Sequence, residues 1–140
     1  PRTTLNLNVM TTADNPGILG EPTTGITEAT VYHNPQCSKS RAALAYLEQR
    51  GITPTIIHYL TDTPTAEELT AVLATAGLKA HDIIRTGEAA YAHLGLSTET
   101  PDADLITAMV THPELIERPL VVTPKGAILA RPTDLIATIL

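Results

Sequence analysis

Two short runs rich in apolar and β-branched residues, at 28–33 and 55–60, stand out in the first half of the chain. Runs of this length and composition are typical of β-strands. Between them, residues 38–50 place alanine and leucine at helical spacing and end at Gly51, a residue type that commonly closes helices. The pattern therefore predicts a strand, a helix and a second strand in succession.

A second helix is predicted after the second strand. Thr65 is suited to the N-cap, and Glu68 stands three residues later, as in a capping box. The helix is expected to run to about Ala76 and to end at Gly77. Because a helix links the two strands, they are expected to pair in parallel.

The second half is predicted to be helical first and then to form a hairpin and a last helix. Residues 78–117 carry helical patterns and no strand signal. The expected helices are 78–85, 88–94 and 102–112. Strands at 119–123 and 127–130 flank residues typical of a type I turn, which predicts an antiparallel pair. Pro132 is expected at position N1 of a helix that runs through Leu140.

The first 27 residues differ from the rest, since they are rich in Thr, Asn, Pro and Gly and show little periodicity. This composition indicates a flexible N-terminal arm before a domain at 28–140. The segment lacks the basic region and long apolar region of a signal peptide. Met10 is a candidate native start, which would make residues 1–9 additional to the natural chain.

The composition is that of one globular domain. The chain has 140 residues, of which 43% are hydrophobic and 17% charged, and it contains no Phe or Trp, so an aliphatic core is expected. No apolar run approaches the roughly 18 residues that span a membrane. The net charge of −6 disfavours nonspecific binding of nucleic acid, which needs a basic face.

Cys37 is the only cysteine, which excludes an internal disulfide and makes a cytoplasmic location the expectation. It lies between a turn containing Pro35 and the start of the first predicted helix. Unpaired N–H groups and the helix dipole favour a thiolate there. A buried inert thiol is the alternative. The preceding turn and the polar residues that follow favour a nucleophile.

His33 precedes Cys37 by four residues and is either a structural residue at a strand end or part of the thiol's environment. A metal site is not expected, because Pro35 prevents a regular helix from presenting the two side chains together and no further ligand spacing is evident. The chain also lacks a Gly-rich phosphate loop and a dinucleotide fingerprint, so no bound cofactor is expected.

Four motifs occur in a fixed order: His33-Asn34-Pro35-x-Cys37-x-x-Ser40-Arg41, Arg85-x-x-Glu88-x-x-Tyr91, Glu117-Arg118-Pro119-Leu-Val-Val and Arg131-Pro132. Together they resemble the glutaredoxin-coupled arsenate reductase family over about residues 28–140. The resemblance implies a thioredoxin-like α/β domain with a mixed sheet and a helical insert before the C-terminal hairpin. The order of strands and helices predicted above agrees with the order of elements in that fold.

The resemblance also implies roles for particular residues. Cys37 would be the nucleophile and His33 would help to lower its pKa. Three arginines would hold the oxyanion and stabilise the arsenylated cysteine: Arg85, Arg118 and Arg131. A guanidinium suits this role because its planar fork donates two hydrogen bonds and stays charged. Pro119 resembles the cis-proline of such folds. The remaining supporting positions are Asn34, Ser40 and Arg41, of which Arg41 either adds positive potential or is a surface residue.

The implied reaction begins with attack of the Cys37 thiolate on arsenate. Glutathione then attacks the adduct, and glutaredoxin resolves the product so that arsenite leaves. One cysteine agrees with this scheme, because no second internal thiol is available as the reductant. Another low-molecular-weight thiol, mycothiol or bacillithiol, is an alternative donor.

Two features depart from the family pattern: the pair Ser38-Lys39 after the cysteine, and the N-terminal arm. The Ser38-Lys39 pair also occurs in reductase-like relatives whose substrate need not be arsenate, so a glutaredoxin-type thiol oxidoreductase is one alternative function. The other is a transcription regulator of the related family that binds RNA polymerase. Those regulators carry a Cys-x-x-Cys switch, and Ser40 replaces its second cysteine here.

Overall fold

The computed structural model describes residues 26–140, which form two compact units. The sheet unit comprises residues 26–57 and 118–140, and the helical unit comprises residues 58–117. The predicted N-terminal arm, except for its last two residues, lies outside the described residues.

The sheet unit contains a four-stranded mixed sheet and one α-helix. The strands are β1 (Thr30–Tyr32), β2 (Thr55–Ile57), β3 (Leu120–Thr123) and β4 (Gly126–Leu129), and α1 (Ser38–Gln49) links β1 to β2. Their order is β2-β1-β3-β4, with β1 parallel to β2 and antiparallel to β3, and with β3 antiparallel to β4. The predicted parallel pair, mixed sheet and hairpin are therefore confirmed.

The first two strands are shorter than the predicted runs at 28–33 and 55–60. Their last matched pair is Tyr32 with Ile57, after which the amide of His33 donates to the carbonyl of Ile57 at 2.8 Å. After β2 the backbone turns, because the amides of Thr61 and Asp62 both donate to the carbonyl of His58. The backbone groups are thus engaged in turns rather than in a strand ladder.

The hairpin of β3 and β4 places two predicted site residues at one end. Its loop is two residues long, since Thr123 pairs with Gly126. At the open end, the amide of Ala130 donates to the carbonyl of Pro119 at 2.9 Å. Arg118 and Arg131 flank this last hydrogen bond on the two sides of the hairpin. The Arg118–Pro119 bond is cis, as the resemblance implies, and the Arg131–Pro132 bond is also cis.

An aliphatic core fills the space between the sheet and α1. It consists of Ile26, Ala29, Val31, Ala43, Leu47, Ile52, Val121, Ala130, Ile136 and Ile139. The helix contributes Ala43 and Leu47, four residues apart and therefore on one face. Ile26 belongs to this core although it was assigned to the arm, so the packed part of the chain begins upstream of residue 28.

The C-terminal segment is a 3₁₀ helix, Thr133–Ile139, and not the predicted α-helix, and Pro132 is its N-cap rather than its first residue. The amide of Leu135 donates to the carbonyl of Pro132, three residues earlier. Ile136 and Ile139 are both buried. A spacing of three aligns side chains on one face of a 3₁₀ helix, and β-branched residues favour the α-helix weakly, so burial of the isoleucines accounts for the tighter helix.

The helical unit contains four α-helices and a short 3₁₀ helix: α2 (Ala66–Ala76), α3 (Ala80–Ile83), α4 (Ala89–His93), α5 (Asp102–Thr111) and the 3₁₀ helix Pro113–Leu115. As predicted, the Thr65 hydroxyl caps α2 by accepting from the Glu68 amide at 3.0 Å, and Gly77 closes it with a φ of 71°. Across residues 26–140 none of the helices combines the length and apolarity needed to cross a bilayer.

An isolated antiparallel bridge joins Ile84 to Ile116 within the helical unit, where the sequence showed no strand signal. Two hydrogen bonds of 2.8 Å flank it, from the Arg85 amide to the Leu115 carbonyl and from the Glu117 amide to the Ile83 carbonyl. The bridge fixes Arg85 and Glu117 on neighbouring chain segments.

Candidate active site

Cys37 occupies the N-cap of α1, with extended backbone angles of φ −101° and ψ 123°. Its amide donates to the carbonyl of Asn34 at 2.9 Å, which closes the Pro35 turn, and its own carbonyl accepts the first helical bond from Arg41. Only 7% of the residue is exposed. The first amides of α1 therefore lie beside the sulfur, as the sequence predicted.

Ser40 connects the cysteine loop to His33. Its buried hydroxyl accepts a hydrogen bond from the Asn34 amide at 3.0 Å and lies 2.7 Å from Nδ1 of His33, which is also buried. The Asn34 side chain in turn accepts from the Gln36 amide at 2.9 Å. Since these bonds fix successive backbone groups, the loop before Cys37 is held in one shape.

His33 was expected to help lower the pKa of Cys37, and the structure gives it a route through Ser40. The backbone amide of Ser40 bonds the sulfur, and the Ser40 hydroxyl contacts the imidazole. An effect of His33 on the thiol stays a prediction. A histidine acting in this way would position Ser40 rather than touch the reacting atoms.

Arg41 has a defined contact with the same loop. Its Nη1 donates to the carbonyl of Pro35 at 2.7 Å, although the residue as a whole is exposed. The sequence left open whether Arg41 is a surface residue or a source of positive potential. Neither alternative predicts its hydrogen bond to the Pro35 carbonyl. Arg41 fastens the turn that precedes the cysteine onto the first turn of α1.

Two of the three predicted arginines meet Cys37 in the sheet unit. Nη2 of Arg131 lies 3.8 Å from the cysteine sulfur, and its Nε donates to the carbonyl of Arg118 at 2.7 Å. The Arg118 side chain also hydrogen-bonds the sulfur, and its Nε and Nη1 atoms are buried. The end of the hairpin thus brings two guanidinium groups to the start of α1.

The pKa of the Cys37 thiol is lowered by this environment. Burial is the largest single influence and raises the pKa, because it penalises the charged thiolate. Hydrogen bonds from the Ser40 amide, the Arg118 side chain and the Lys39 amide, together with the charge of Arg118, outweigh it. The site therefore favours the nucleophilic form of the thiol.

Alkylation of Cys37 by iodoacetamide should show a midpoint below about pH 8.5, the value of an unperturbed cysteine. Because the folded pKa is depressed, the native thiolate survives to lower pH than the unfolded one. The lowered pKa also stabilises the folded protein against unfolding. This stabilisation is fully present above the unfolded pKa and is lost as the pH falls through the folded pKa. The same chain unfolded in urea supplies the reference curve, and a native midpoint at or above that reference would refute the lowered pKa.

Arg85, the third predicted arginine, lies in the helical unit. Its Nη1 is 3.1 Å from Oε2 of Glu88 and its Nε is 3.6 Å from Oε1 of Glu117. A role beside Cys37 stays a prediction for Arg85. The sequence analysis names Glu88 and Glu117 as positions of the family motifs and assigns a role to neither. The spacing of three between Arg85 and Glu88 is the signal that could have revealed the first pair.

No group of three or more His, Cys, Asp or Glu side chains within residues 26–140 is arranged to hold a metal ion. The chemistry of the site rests instead on one activated sulfur beside two guanidinium groups. A nucleophile next to positive hydrogen-bond donors is suited to attack on an electrophilic atom that carries oxyanion oxygens.

Comparison with known sequences places this arrangement in a family. The sequence model of the ArsC family matches residues 32–139, which include the cysteine loop and both ends of the hairpin. The chain belongs to the ArsC family. This membership confirms the family resemblance, and with it the prediction of a thioredoxin-like α/β fold.

Individual ArsC relatives cover most of the chain. An arsenate reductase of Rhizobium meliloti is 44% identical over 112 residues, which is 79% of this chain and 80% of that protein. An arsenate reductase of Escherichia coli is 43% identical over 112 residues, with 79% of each chain covered. Among solved structures, an arsenate reductase from Vibrio cholerae superposes with a TM-score of 0.78 at 41% identity, covering 82% of this chain and 99% of that one.

Proposed function

We propose that this protein is an arsenate reductase that uses Cys37 as its nucleophile and external thiols as its reductant. The single observation that carries the proposal is the lone sulfur at the N-terminus of α1, with hydrogen bonds from Arg118 and Arg131. Membership of the ArsC family and relatives named arsenate reductase support the substrate.

The first step forms a bond between the Cys37 sulfur and arsenic. The thiolate supplies the electron pair, one arsenic–oxygen bond breaks, and the oxygen leaves as hydroxide or, after protonation, as water. Arsenic remains pentavalent in the adduct. Arg118 and Arg131 would stabilise the oxyanion oxygens as charge builds on them, because guanidinium groups fixed before the reaction need no rearrangement during it.

The reducing step needs two electrons from outside the chain. We propose that a glutathione thiolate attacks arsenic in the adduct and displaces a second oxygen as hydroxide or water. The glutaredoxin thiolate then attacks the glutathione sulfur, which breaks the bond between that sulfur and arsenic and leaves its electron pair on arsenic, so that arsenic becomes trivalent and the two external thiols end as a disulfide. Water hydrolyses the remaining bond from the Cys37 sulfur to arsenic, which releases arsenite and regenerates the thiolate. The single cysteine supports an external donor, since an internal disulfide requires a second cysteine in the chain. These donors are abundant in reducing compartments, in agreement with the expected cytoplasmic location.

The proposal is tested by NADPH consumption in the presence of arsenate, glutathione, glutaredoxin and glutathione reductase. We expect turnover that depends on both arsenate and this protein, and arsenite as the product. Replacing glutathione by mycothiol or bacillithiol with the matching redoxin tests the alternative donors. If arsenate elicits no turnover with any donor while glutathionylated substrates are reduced, the protein is a thiol oxidoreductase of another kind.

A further inference from the structure

Positive charge is concentrated on the sheet unit of an acidic chain. The whole chain carries a net charge of −6, yet in the described part of the sheet unit basic side chains outnumber acidic ones. The basic residues are Lys39, Arg41, Arg50, Arg118, Lys125 and Arg131, and the acidic residues are Glu28, Glu48 and Asp134. Four of the six basic residues lie in the first two turns of α1 or at the open end of the hairpin, the two places that meet at Cys37. Among the acidic residues only Asp134 stands near one of these places in the chain, three residues after Arg131.

Lys39 is placed where its charge does not stabilise the helix. It is the second residue of α1, and the first turn contains no acidic residue. The helix dipole is positive at this end, so it repels a lysine and would favour an acidic residue. The side chain is exposed, and its ammonium group forms no ion pair or hydrogen bond within residues 26–140. Neither helix formation nor a partner in this part of the chain accounts for the charge.

The side chains of Lys39 and Arg41 belong to the exposed rim of the Cys37 site. The Lys39 amide itself hydrogen-bonds the sulfur. Side chains of an α-helix lean towards its N-terminus, and Arg41 shows this lean, since its Nη1 reaches the Pro35 carbonyl in the loop before the cysteine. Both residues are exposed, in contrast to the two half-buried arginines of the hairpin. We call Lys39 and Arg41 the basic rim.

The proposed reaction brings a second anion to the sulfur once arsenate has formed its adduct. The adduct keeps oxyanion oxygens, which the half-buried arginines of the hairpin would bind. The reductant that follows, a small thiol such as glutathione, bears carboxylate groups and reacts as a thiolate, so the adduct repels it. Exposed positive charges beside the sulfur, separate from the groups that bind the oxyanion, offset such repulsion and raise the rate of encounter.

We propose that Lys39 and Arg41 form a docking surface for the carboxylate groups of an anionic low-molecular-weight thiol, the reductant that reacts with arsenic at Cys37. This inference rests on the proposed function, because it takes an external thiol as the electron donor. The Lys39 ammonium has no partner within the described residues to give up, and Arg41 binds the Pro35 carbonyl through Nη1 alone, which leaves its other N–H groups for a carboxylate. The docking surface also gives a role to the Ser38-Lys39 pair, which departs from the family pattern.

The test compares the rates at which Cys37 forms mixed disulfides with anionic glutathione disulfide, neutral 2-hydroxyethyl disulfide and cationic cystamine. In each reaction the Cys37 thiolate attacks one sulfur and the other sulfur leaves as a thiolate. Since the chain has one cysteine, every product reports on this site. Dividing each rate constant by that of the neutral reagent cancels changes in the pKa and nucleophilicity of the thiol. In Lys39→Gln we expect the anionic ratio to fall roughly two- to fivefold at low salt and the cationic ratio to rise, with smaller changes at about 1 M salt.

Two further variants separate the position of the charge from its presence. Lys39→Arg keeps the charge and should retain the wild-type ratios. Arg50→Gln makes the same charge change at the C-terminal end of α1, about 20 Å away along the helix axis, and should leave both ratios unchanged. Lys39→Gln should unfold at the same temperature as the wild type or a higher one, because an unfavourable interaction with the helix dipole is removed. A structural role of the lysine would instead lower that temperature.

The coupled assay connects the docking surface to turnover. At saturating arsenate, Lys39→Gln should raise the KM for glutathione about two- to fivefold with little change in kcat. An unchanged anionic ratio overturns the inference. So does a change in KM that is confined to glutaredoxin or to arsenate, because the surface would then serve a protein or the oxyanion. Absence of arsenate turnover in the wild type would instead defeat the proposed function, because the disulfide exchange needs no turnover.

Discussion

Cys37→Ser is expected to reduce arsenate-dependent NADPH oxidation to the background rate. The hydroxyl of serine ionises far less readily than a thiol, so hydrogen bonds from Arg118 and the helix amides cannot generate a comparable nucleophile. No other cysteine in the chain can take its place. Loss of the group that forms the covalent intermediate should lower kcat by at least about 10³-fold.

The change should leave the structure intact, because serine and cysteine are nearly isosteric. Thermal unfolding and circular dichroism verify this. Ser38→Ala, a similarly small change at the neighbouring exposed residue, is the matched control and should keep most of the activity. Residual turnover of Cys37→Ser near that of the control would remove the cysteine from the mechanism.

Arg118→Ala should lower kcat/KM for arsenate about ten- to hundredfold. The substitution removes a charge-assisted hydrogen bond, worth roughly 1.5–3 kcal/mol when its partner is charged. It also removes two of the influences that lower the pKa of Cys37, the hydrogen bond and the charge of the guanidinium, so the alkylation midpoint should move to higher pH. Arg118→Lys should recover only part of the activity, because an ammonium keeps the charge and loses the fork.

Arg50→Ala is the control for losing an arginine from the sheet unit. Arg50 stacks on the ring of Tyr46, with 3.6 Å between its guanidinium carbon and the ring centroid, and has no contact with Cys37 among the hydrogen bonds of the described residues. Its removal should leave both kcat/KM and the alkylation midpoint unchanged. Equal losses for Arg50→Ala and Arg118→Ala would show that the effect is not specific to the site.

Local signals were sufficient for most of the fold. Thr65 and Gly77 identify the ends of α2 because capping is decided by neighbouring residues, and the two-residue loop of the hairpin lies where turn residues predict it. The predicted strand ends and the predicted C-terminal α-helix were wrong, since pairing with and burial against residues distant in sequence decide these features. The bridge at Ile84 is a single pairing and leaves no periodic signal.

The site was predictable in its chemistry and less so in its connections. Cys37 follows from the helix start, and the arginines follow from the family motifs. Two connections depend on the shape of the folded loop. Ser40 joins His33 to the cysteine loop, and Arg41 donates to the Pro35 carbonyl. The pairing of Glu117 with Arg85 joins residues far apart in sequence, which spacing alone does not reveal.

The antiparallel hairpin determines how far apart Arg118 and Arg131 can be. Both stand beyond its open end, so their separation is set by backbone pairing rather than by either side chain. Residues added to the loop at Pro124 and Lys125 would leave that separation unchanged. A slip of the register by one residue would instead displace one arginine by about 3.4 Å along the strand and turn its side chain to the other face of the sheet. The pairing register of the hairpin thus sets the spacing of the two arginines, and redesign of the anion site for larger ligands would have to begin with that register.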